Sequence, residues 1–238
     1  MQIAQNTEIH NGSLPVLSRP DVSAPPARRR RSTAASKQIL GARDPEVLRW
    51  LVQQYGGRLD HIAALLGSSY QQARRVAGRL HAHKLVRYEQ IVVGEPTWVI
   101  PTAAGLRFVA ANFRLWTPRL ALLGHYVATN DVRIHLQRGA TDAVWTSERE
   151  LFQELGIRGH LPDGLLTING KRIAIEVELT LKTPARLRRN IELLMRGFDG
   201  AVYYAAPAPH KRLTEIVDSG RYPNLRVREL PSTNGVQR

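Results

Sequence analysis

Cysteine is absent from this 238-residue chain, which excludes disulfide bonds, thiolate zinc sites and cysteine nucleophiles. No segment approaches the ~18 consecutive apolar residues of a membrane-spanning helix, so we expect no association with a membrane. Residues 1–10 have neither the basic n-region nor the apolar h-region of a secretory signal peptide. These absences together lead us to expect a cytoplasmic protein.

Lysine is scarce and arginine is abundant. Five of the 34 basic residues are lysines and the other 29 are arginines, a bias that also fits a GC-rich genome. The formal net charge is +14, spread over residues 1–43 (+5), 44–112 (+3) and 113–238 (+6). Because every part of the chain is positive, the charge favours a polyanionic partner, with nucleic acid ahead of a membrane surface.

Residues 1–43 are predicted to form a disordered basic arm. They contain four prolines, many small polar residues and a run of four arginines. Such an arm can follow the phosphates of DNA or enter its minor groove. The alternative is a solvated tail without a partner. The arginines of the run are Arg28, Arg29, Arg30 and Arg31.

Residues 44–112 show the pattern of three helices followed by a β-hairpin. Asp44 is the expected N-cap of the first helix, which a pair of glycines ends. A short second helix stops at Gly67, and a third is predicted from Tyr70 to about residue 83. This order of elements resembles a winged helix-turn-helix domain, whose third helix enters the major groove of double-stranded DNA.

The polar face of the third helix carries the candidate DNA contacts. Glutamine pairs well with adenine and arginine with guanine, and further cations bind phosphates. The alternative is that the winged helix serves as a module for protein docking or for a homodimer. The candidate DNA-binding residues are Ser69, Tyr70, Gln71, Gln72, Arg74, Arg75 and Arg79.

Residues 113–238 are expected to form an α/β domain with a connecting helix over about 118–139. Ser147 and Glu150 form a capping box that opens a further helix at Glu148. A hairpin, a helix, a strand, a helix and a last strand then follow along the chain. This order predicts an α/β sandwich around a mixed sheet, which makes the fold class of the whole chain α+β.

The hairpin centres on Asn169-Gly170, the dipeptide that best suits the two positive-φ positions of a type I′ turn. A two-residue loop pairs Ile168 with Lys171, and the same register brings Asp163 opposite Glu176. Side chains alternate between the two faces of a strand. One face therefore carries Asp163, Glu176 and Glu178, and the other carries Leu166, Ile168, Ile173, Ile175, Val177 and Leu179.

Like charges at opposed positions destabilise a sheet, because their Cβ atoms lie only ~5 Å apart. A carboxylate cluster in this hairpin therefore predicts a divalent cation or a nearby lysine or arginine. Oxygen ligands of this kind favour Mg²⁺ or Mn²⁺. The alternative is that the three acids decorate a solvated face of the sheet.

These two strands resemble those of the PD-(D/E)xK nuclease superfamily, with Pro162-Asp163 on one strand and Glu176-Val177-Glu178 on the next. The resemblance implies that Asp163 and Glu176 bind Mg²⁺ or Mn²⁺, with the Val177 carbonyl as a third ligand. It also implies that Glu148 corresponds to the additional acid of some members.

The chain departs from the superfamily at the position of the lysine that positions or activates water, where it has Glu178. Lys182 is the candidate replacement if the backbone bends back after Glu178. Arg186 or Arg189 on the next helix are the alternatives. The implied catalytic residues are therefore Asp163, Glu176, Glu178 and Lys182.

Over residues 44–206 the chain resembles the replication-relaxation family, whose members are encoded on plasmids and integrated mobile elements. The segment 178–182 departs from the Glu-x-Asp and Gly-Thr-type turn usual in that family. The resemblance implies DNA binding linked to plasmid replication or transfer, without a defined reaction. It rests on the winged helix followed by His125, Asn130-Asp131, Trp145, Ser147-Glu148, Pro162-Asp163 and Glu176-x-Glu178.

Three functions are compatible with these observations. The first is a DNA-binding regulator of a mobile element whose nuclease-like domain need not be active. The second is a DNA endonuclease or nickase that depends on Mg²⁺ or Mn²⁺ and is directed to its site by the winged helix. The third is a docking protein for replication or transfer proteins.

Overall fold

The computed structural model describes residues 39–140, 142–156 and 160–231, which all lie in one compact unit, Lys37–Arg238. Within these residues the fold is a mixture of helices and strands with two sheets, as the sequence predicts at this level. The arginine run from Arg28 to Arg31 lies outside the described residues. No helix in the described part of the chain is both long and apolar enough to cross a membrane.

The first part of the chain is mainly helical and contains a small antiparallel sheet. Its elements are helix α1 (Asp44–Gln53), strand β1 (Gly57–Arg58), helices α2 (Leu59–Leu66) and α3 (Tyr70–Ala82), strands β2 (Val86–Glu89) and β3 (Trp98–Pro101), and helix α4 (Ala103–Phe108). In the sheet, β3 pairs with β1 on one side and with β2 on the other.

The apolar stripe predicted for α3 is buried, as its helical spacing requires. It packs in one hydrophobic core with side chains of α1 and α2, so the opposite face of α3 is turned to solvent. The buried residues of α3 are Ala73, Val76, Ala77 and Leu80.

Asp44 does not cap α1, and that prediction is wrong. Asp44 is itself the first residue of the helix, and its side chain is buried. Its two carboxylate oxygens accept hydrogen bonds from Nε and a terminal nitrogen of Arg79, both at 2.7 Å. The Gly41 amide also donates to Oδ2 of Asp44. This bidentate pair links α1 to α3, since a buried carboxylate needs a cation to compensate for its lost hydration.

Arg79→Ala is expected to destabilise the protein by about 2 kcal/mol or more, because it leaves the buried Asp44 carboxylate without its cation. The free energy of unfolding in urea measures the loss. Arg75→Ala removes an exposed arginine from the same helix and should change stability by less than about 0.5 kcal/mol. Equal effects of the two substitutions would contradict a structural role for the Asp44–Arg79 pair.

The second part of the chain surrounds a five-stranded mixed sheet. Its elements are helix α5 (Leu120–Gly139), strand β4 (Val144–Ser147), helix α6 (Glu148–Leu155), strands β5 (Gly164–Ile168) and β6 (Lys171–Glu178), helix α7 (Pro184–Gly197), strand β7 (Gly200–Ala205), helix α8 (Pro207–Asp218) and strand β8 (Leu225–Glu229). The strand order is β4-β5-β6-β7-β8. The first three strands are antiparallel neighbours, whereas β6, β7 and β8 run parallel.

The hairpin register is confirmed. Asn169 and Gly170 have φ angles of 50° and 73°, as a type I′ turn requires. Pairing runs from Ile168 with Lys171 to Gly164 with Ile175. Most of the predicted apolar face packs against α5, where it forms a core with Val132 and Trp145, whereas Ile168 beside the turn is only partly buried and lies outside this core. The residues of that face in this core are Leu166, Ile173, Ile175, Val177 and Leu179.

Candidate functional site

Glu176 and Glu178 lie at the end of β6, and each is only 3% exposed. The alternative that these acids decorate a solvated face is therefore wrong. Burial of a carboxylate is unfavourable unless a cation or hydrogen-bond donors compensate for it. Each of the two has a basic partner close by, His160 for Glu176 and Lys182 for Glu178.

Asp163 lies one residue before β5, just beyond the last pair of the hairpin ladder. Its Oδ2 accepts a hydrogen bond from the Val177 amide at 2.7 Å, so its side chain bridges to β6. Nε2 of His125, on α5, lies 2.8 Å from Oδ1 of Asp163. Both oxygens of this carboxylate are therefore bound by nitrogen atoms.

Gly164 holds the start of β5 close to β4. A Cβ atom at this position would overlap the ring of Trp145, so a larger residue would push the two strands apart. Because Asp163 is the preceding residue, this close approach also fixes where its carboxylate lies. The glycine thus contributes to the site without carrying a functional group.

His160 is the partner of Glu176. Nε2 of His160 lies 3.1 Å from Oε1 of Glu176. Burial, followed by the nearby Asp163 carboxylate, raises the pKa of Glu176 to about 7. Although burial lowers the pKa of His160, the hydrogen bond and charge of Glu176 raise it above the ordinary value. The protonation of each group therefore depends on that of the other.

Lys182 is the partner of Glu178. The chain turns back after β6, as the sequence requires if Lys182 is to reach the site, and its ammonium group hydrogen-bonds Oε2 of Glu178. Arg186 and Arg189, the alternative cations, are both exposed on α7. Lys182 thus places a basic group beside the Glu178 carboxylate. Its replacement of the superfamily's lysine stays a prediction.

Glu148, the first residue of α6, contacts the end of α1. Its Oε2 accepts a hydrogen bond from the Tyr55 hydroxyl at 3.2 Å. Burial, followed by the charge of Asp163, raises the pKa of Glu148. Glu148 is therefore close enough to Asp163 for the two charges to interact. A small cavity of about 10 Å³ lies here, with room for about one water. Its lining includes Tyr55, Tyr126, His125, Glu148 and Asp163.

Three of the site's carboxylates each have a basic side chain beside them: His125 at Asp163, His160 at Glu176 and Lys182 at Glu178. Although burial lowers the pKa of His125, the hydrogen bond to Asp163 raises it above the ordinary value. Within the described ranges, no group of three or more histidine, aspartate or glutamate side chains is arranged to hold a metal ion. The prediction of Mg²⁺ or Mn²⁺ at Asp163, Glu176 and Glu148 stays a prediction. As arranged, the site presents carboxylates, imidazoles and an ammonium group that can accept and donate protons.

The solvent face of α3 carries the second candidate site. Gln71, Gln72, Arg74 and Arg75 are exposed, and Arg75 donates a hydrogen bond to Gln72 at 3.2 Å. Neither Arg74 nor Arg75 forms an ion pair with any described residue. These side chains are available to a partner from solvent.

The other predicted residues of α3 have structural contacts. Ser69 caps the helix, since its hydroxyl accepts a hydrogen bond from the Gln72 amide. Tyr70 is partly buried against the core. Arg79 is held by Asp44 and lies on the flank of the exposed face. A contact of these three residues with DNA stays a prediction.

Sequence reasoning assigned no role to His125 and did not single out His160 or Tyr55. His160 precedes Asp163 by three residues. This closeness in sequence could have identified it as a candidate residue of the site. His125 lies 38 residues before Asp163, and only the packing of α5 against the sheet brings the two together. Tyr55 carries no motif, and its φ of 63° is unusual for a residue other than glycine.

No protein-family model, curated protein or solved structure matches this chain. The resemblances to the PD-(D/E)xK superfamily and to the replication-relaxation family therefore remain predictions.

Glu176→Gln is expected to flatten the pH dependence of stability between about pH 5 and about pH 8. In this range the unfolded chain loses the Glu176 proton first, so wild-type stability falls as the pH rises. The raised pKa of His160 acts in the same direction, because the folded state holds that proton longer. The variant should lose less stability than the wild type over this range, by about 3 kcal/mol.

Urea unfolding at both pH values measures this difference. Glu154→Gln changes an exposed glutamate of α6. The stability of this variant should fall with rising pH as steeply as that of the wild type. If the free energy of unfolding of Glu176→Gln changed with pH as steeply as that of the wild type, Glu176 would ionise at its ordinary pKa.

Proposed function

We propose that this chain is a DNA-binding protein whose first part is a winged helix-turn-helix domain. In this proposal α3 enters the major groove of double-stranded DNA. The observation that carries it is the exposed face of α3, where two arginines and two glutamines lack a carboxylate partner in the described chain. Arginine binds guanine and phosphates, and glutamine binds adenine. These side chains therefore suit the major groove, which exposes base edges and is bordered by phosphates.

The order of elements supports the same assignment. Three helices precede an antiparallel β2–β3 pair, and the loop between those strands is the expected wing. Gly67 ends α2 in the left-handed conformation, which makes the tight turn between α2 and α3. Val93 in the wing is 95% exposed, and Gln90 closes the base of this loop through hydrogen bonds to two carbonyls.

The biological setting that we propose is a plasmid or an integrated mobile element. The chain would act there in replication, transfer or their regulation, alone or as a homodimer, with replication or transfer proteins as further partners. Support for this setting comes from the order of winged helix, Asn130-Asp131, Ser147-Glu148 and the carboxylate hairpin. The net charge of +14 supports a polyanionic partner independently of the resemblance.

Replacing Arg74 and Arg75 together by alanine is expected to weaken binding to a DNA duplex by at least about tenfold, because both base and phosphate contacts are lost. Mobility shift across a salt series is the measurement. Each lost phosphate contact should make the slope of log affinity against log salt less negative by about 0.9. The matched control is Arg188→Ala with Arg212→Ala, which removes the same charge from α7 and α8.

Wild-type binding that is weak and insensitive to salt would contradict DNA binding altogether. A double variant of Arg74 and Arg75 that binds like the control would leave DNA binding in place and remove α3 as the contact.

A second candidate function is hydrolysis of a DNA phosphodiester at the carboxylate site. The observation that favours it is the meeting of Asp163, Glu176, Glu178 and Lys182 where β5 begins and β6 ends. Mg²⁺ or Mn²⁺ is the cofactor that this function requires, and would polarise the phosphate and acidify water. Asp163 and Glu176 are already bound by His125 and His160 in the structure. A cation shared by these two carboxylates would therefore replace the contacts of both histidines.

Wild-type protein incubated with supercoiled plasmid and Mn²⁺ or Mg²⁺ is expected to produce nicked or linear DNA if this second function holds. Asp163→Asn removes the charge of the carboxylate that bridges β5 and β6, and cleavage should fall to background. Asp218→Asn, at the exposed end of α8, should cleave like the wild type. Equal background for wild type and Asp163→Asn, visible on an agarose gel, would remove this candidate and leave the DNA-binding proposal unaffected.

A further inference from the structure

A cavity of about 480 Å³ opens between α5, α6 and the segment 112–119 that precedes α5. Its volume lies within the range of pockets that bind small molecules and cofactors. The proposed function of α3 does not use this cavity. Its walls combine aromatic rings, arginines and one carboxylate, and this composition points to a particular class of ligand.

Aromatic rings form one wall of the cavity. Trp116 is one of its lining residues, with its ring 6.1 Å from the ring of Tyr55 and 5.4 Å from that of Tyr126. Trp116 is only partly buried, so it is not simply a core side chain. A partly exposed indole on the wall of a cavity offers a flat apolar surface on which a planar ring can stack.

Cations dominate the charge of the cavity. Arg114, Arg119 and Arg149 line it, whereas Glu148 is its one acidic lining residue among those described. Arg149 is fixed in place, because its guanidinium lies 4.7 Å from the Tyr55 ring and hydrogen-bonds the Val52 carbonyl. Arg114 and Arg119 are exposed and form no ion pair with a described residue. The cavity therefore suits an anionic group beside a planar ring.

The cavity shares a wall with the carboxylate site. Tyr55, Tyr126 and Glu148 line both the large cavity and the small one that contains His125 and Asp163. A ligand in the large cavity would thus lie next to the carboxylates.

We propose that this cavity binds an unpaired nucleotide of a DNA strand, with the base stacked on Trp116 and the phosphate held by Arg119 and Arg114. The proposal rests on the proposed DNA binding and goes beyond it, since it assigns a second contact that takes single-stranded rather than duplex DNA. Stacking on aromatic side chains together with arginine contacts to the backbone is how proteins bind single strands without reading sequence.

A peptide partner fits the cavity less well. Exposed Leu115 and Phe152 would suit apolar side chains, but the excess of arginines would need an acidic peptide, whereas each nucleotide carries a ring and a negative charge together. A peptide occupant would leave the affinity for single-stranded DNA unaffected by changes in the cavity, so the experiment below separates the two.

The experiment compares a blunt fluorescent duplex with the same duplex extended by a short single-stranded overhang, using the full chain and fluorescence anisotropy. The wild type should bind the extended duplex about tenfold more tightly, as expected for one or a few stacked bases. Trp116→Ala and Arg119→Gln should each lose this advantage while keeping the affinity for the blunt duplex. Trp116→Phe should keep most of the advantage, because it retains an aromatic ring.

Arg212→Gln, at the opposite edge of the five-stranded sheet, is the charge-matched control and should keep the full advantage. Because Trp116→Ala also removes packing against Trp98, Arg119→Gln provides the test if the alanine variant fails to fold. Equal affinity of the wild type for both probes would overturn this proposal alone, as would an advantage that survives in Arg119→Gln. Failure of the wild type to bind either probe would overturn the proposed function and this proposal together.

Discussion

The two-residue turn at Asn169-Gly170 is the constraint on which the carboxylate site depends. Because side chains alternate along a strand, a turn with one residue more or fewer would exchange the two faces of β6. Glu176 and Glu178 would then enter the apolar core beneath α5, and Ile175 and Val177 would take their places. The positive φ angles of both turn residues fix the loop length, so the chemistry at one end of β6 is set by the backbone at the other.

Buried polar groups join the helices of the first part to α5. Asn130, which is 1% exposed, donates to the Gly56 carbonyl and accepts a hydrogen bond from Gln54. Next to it, Nε2 of His61 lies 3.2 Å from Asp131. The hydrogen bonds of Asn130 favour one arrangement of α5 against the first part, because a shift would leave its buried amide without these partners. The Asn130-Asp131 pair therefore has a structural role, whatever further role the family resemblance implies.

Local signals in the sequence predicted a large share of the fold. The capping box of Ser147 and Glu150 and the pairing across Asn169-Gly170 involve residues close in the chain, where short-range geometry decides the outcome. Strand β4 has only four residues. This is too short for an alternation of apolar and polar residues to distinguish a strand from a loop in the sequence. The pairing of Asp44 with Arg79 spans 35 residues, and propensity alone favoured the more common capping role of an aspartate before a helix.

The sequence indicated the acidic residues of the candidate site but missed two of its three basic residues, His125 and His160. Asp163, Glu176 and Glu178 lie on or beside a hairpin whose register follows from the sequence, and Lys182 follows at a spacing that one bend can close. The position of His125 depends instead on how α5 crosses the sheet, which no local pattern encodes. His160 precedes the strand, where side-chain direction is not set by alternation.

The pairing of each buried acid with its own base has a consequence for long-range electrostatics. A cluster of three bare carboxylates would repel DNA strongly at short range, since buried charges are poorly screened by salt. His125, His160 and Lys182 each lie against one of these acids, so the negative charge of the cluster is opposed locally by basic side chains. Any anion that approaches this end of the sheet would therefore meet less repulsion than three unpaired carboxylates would produce.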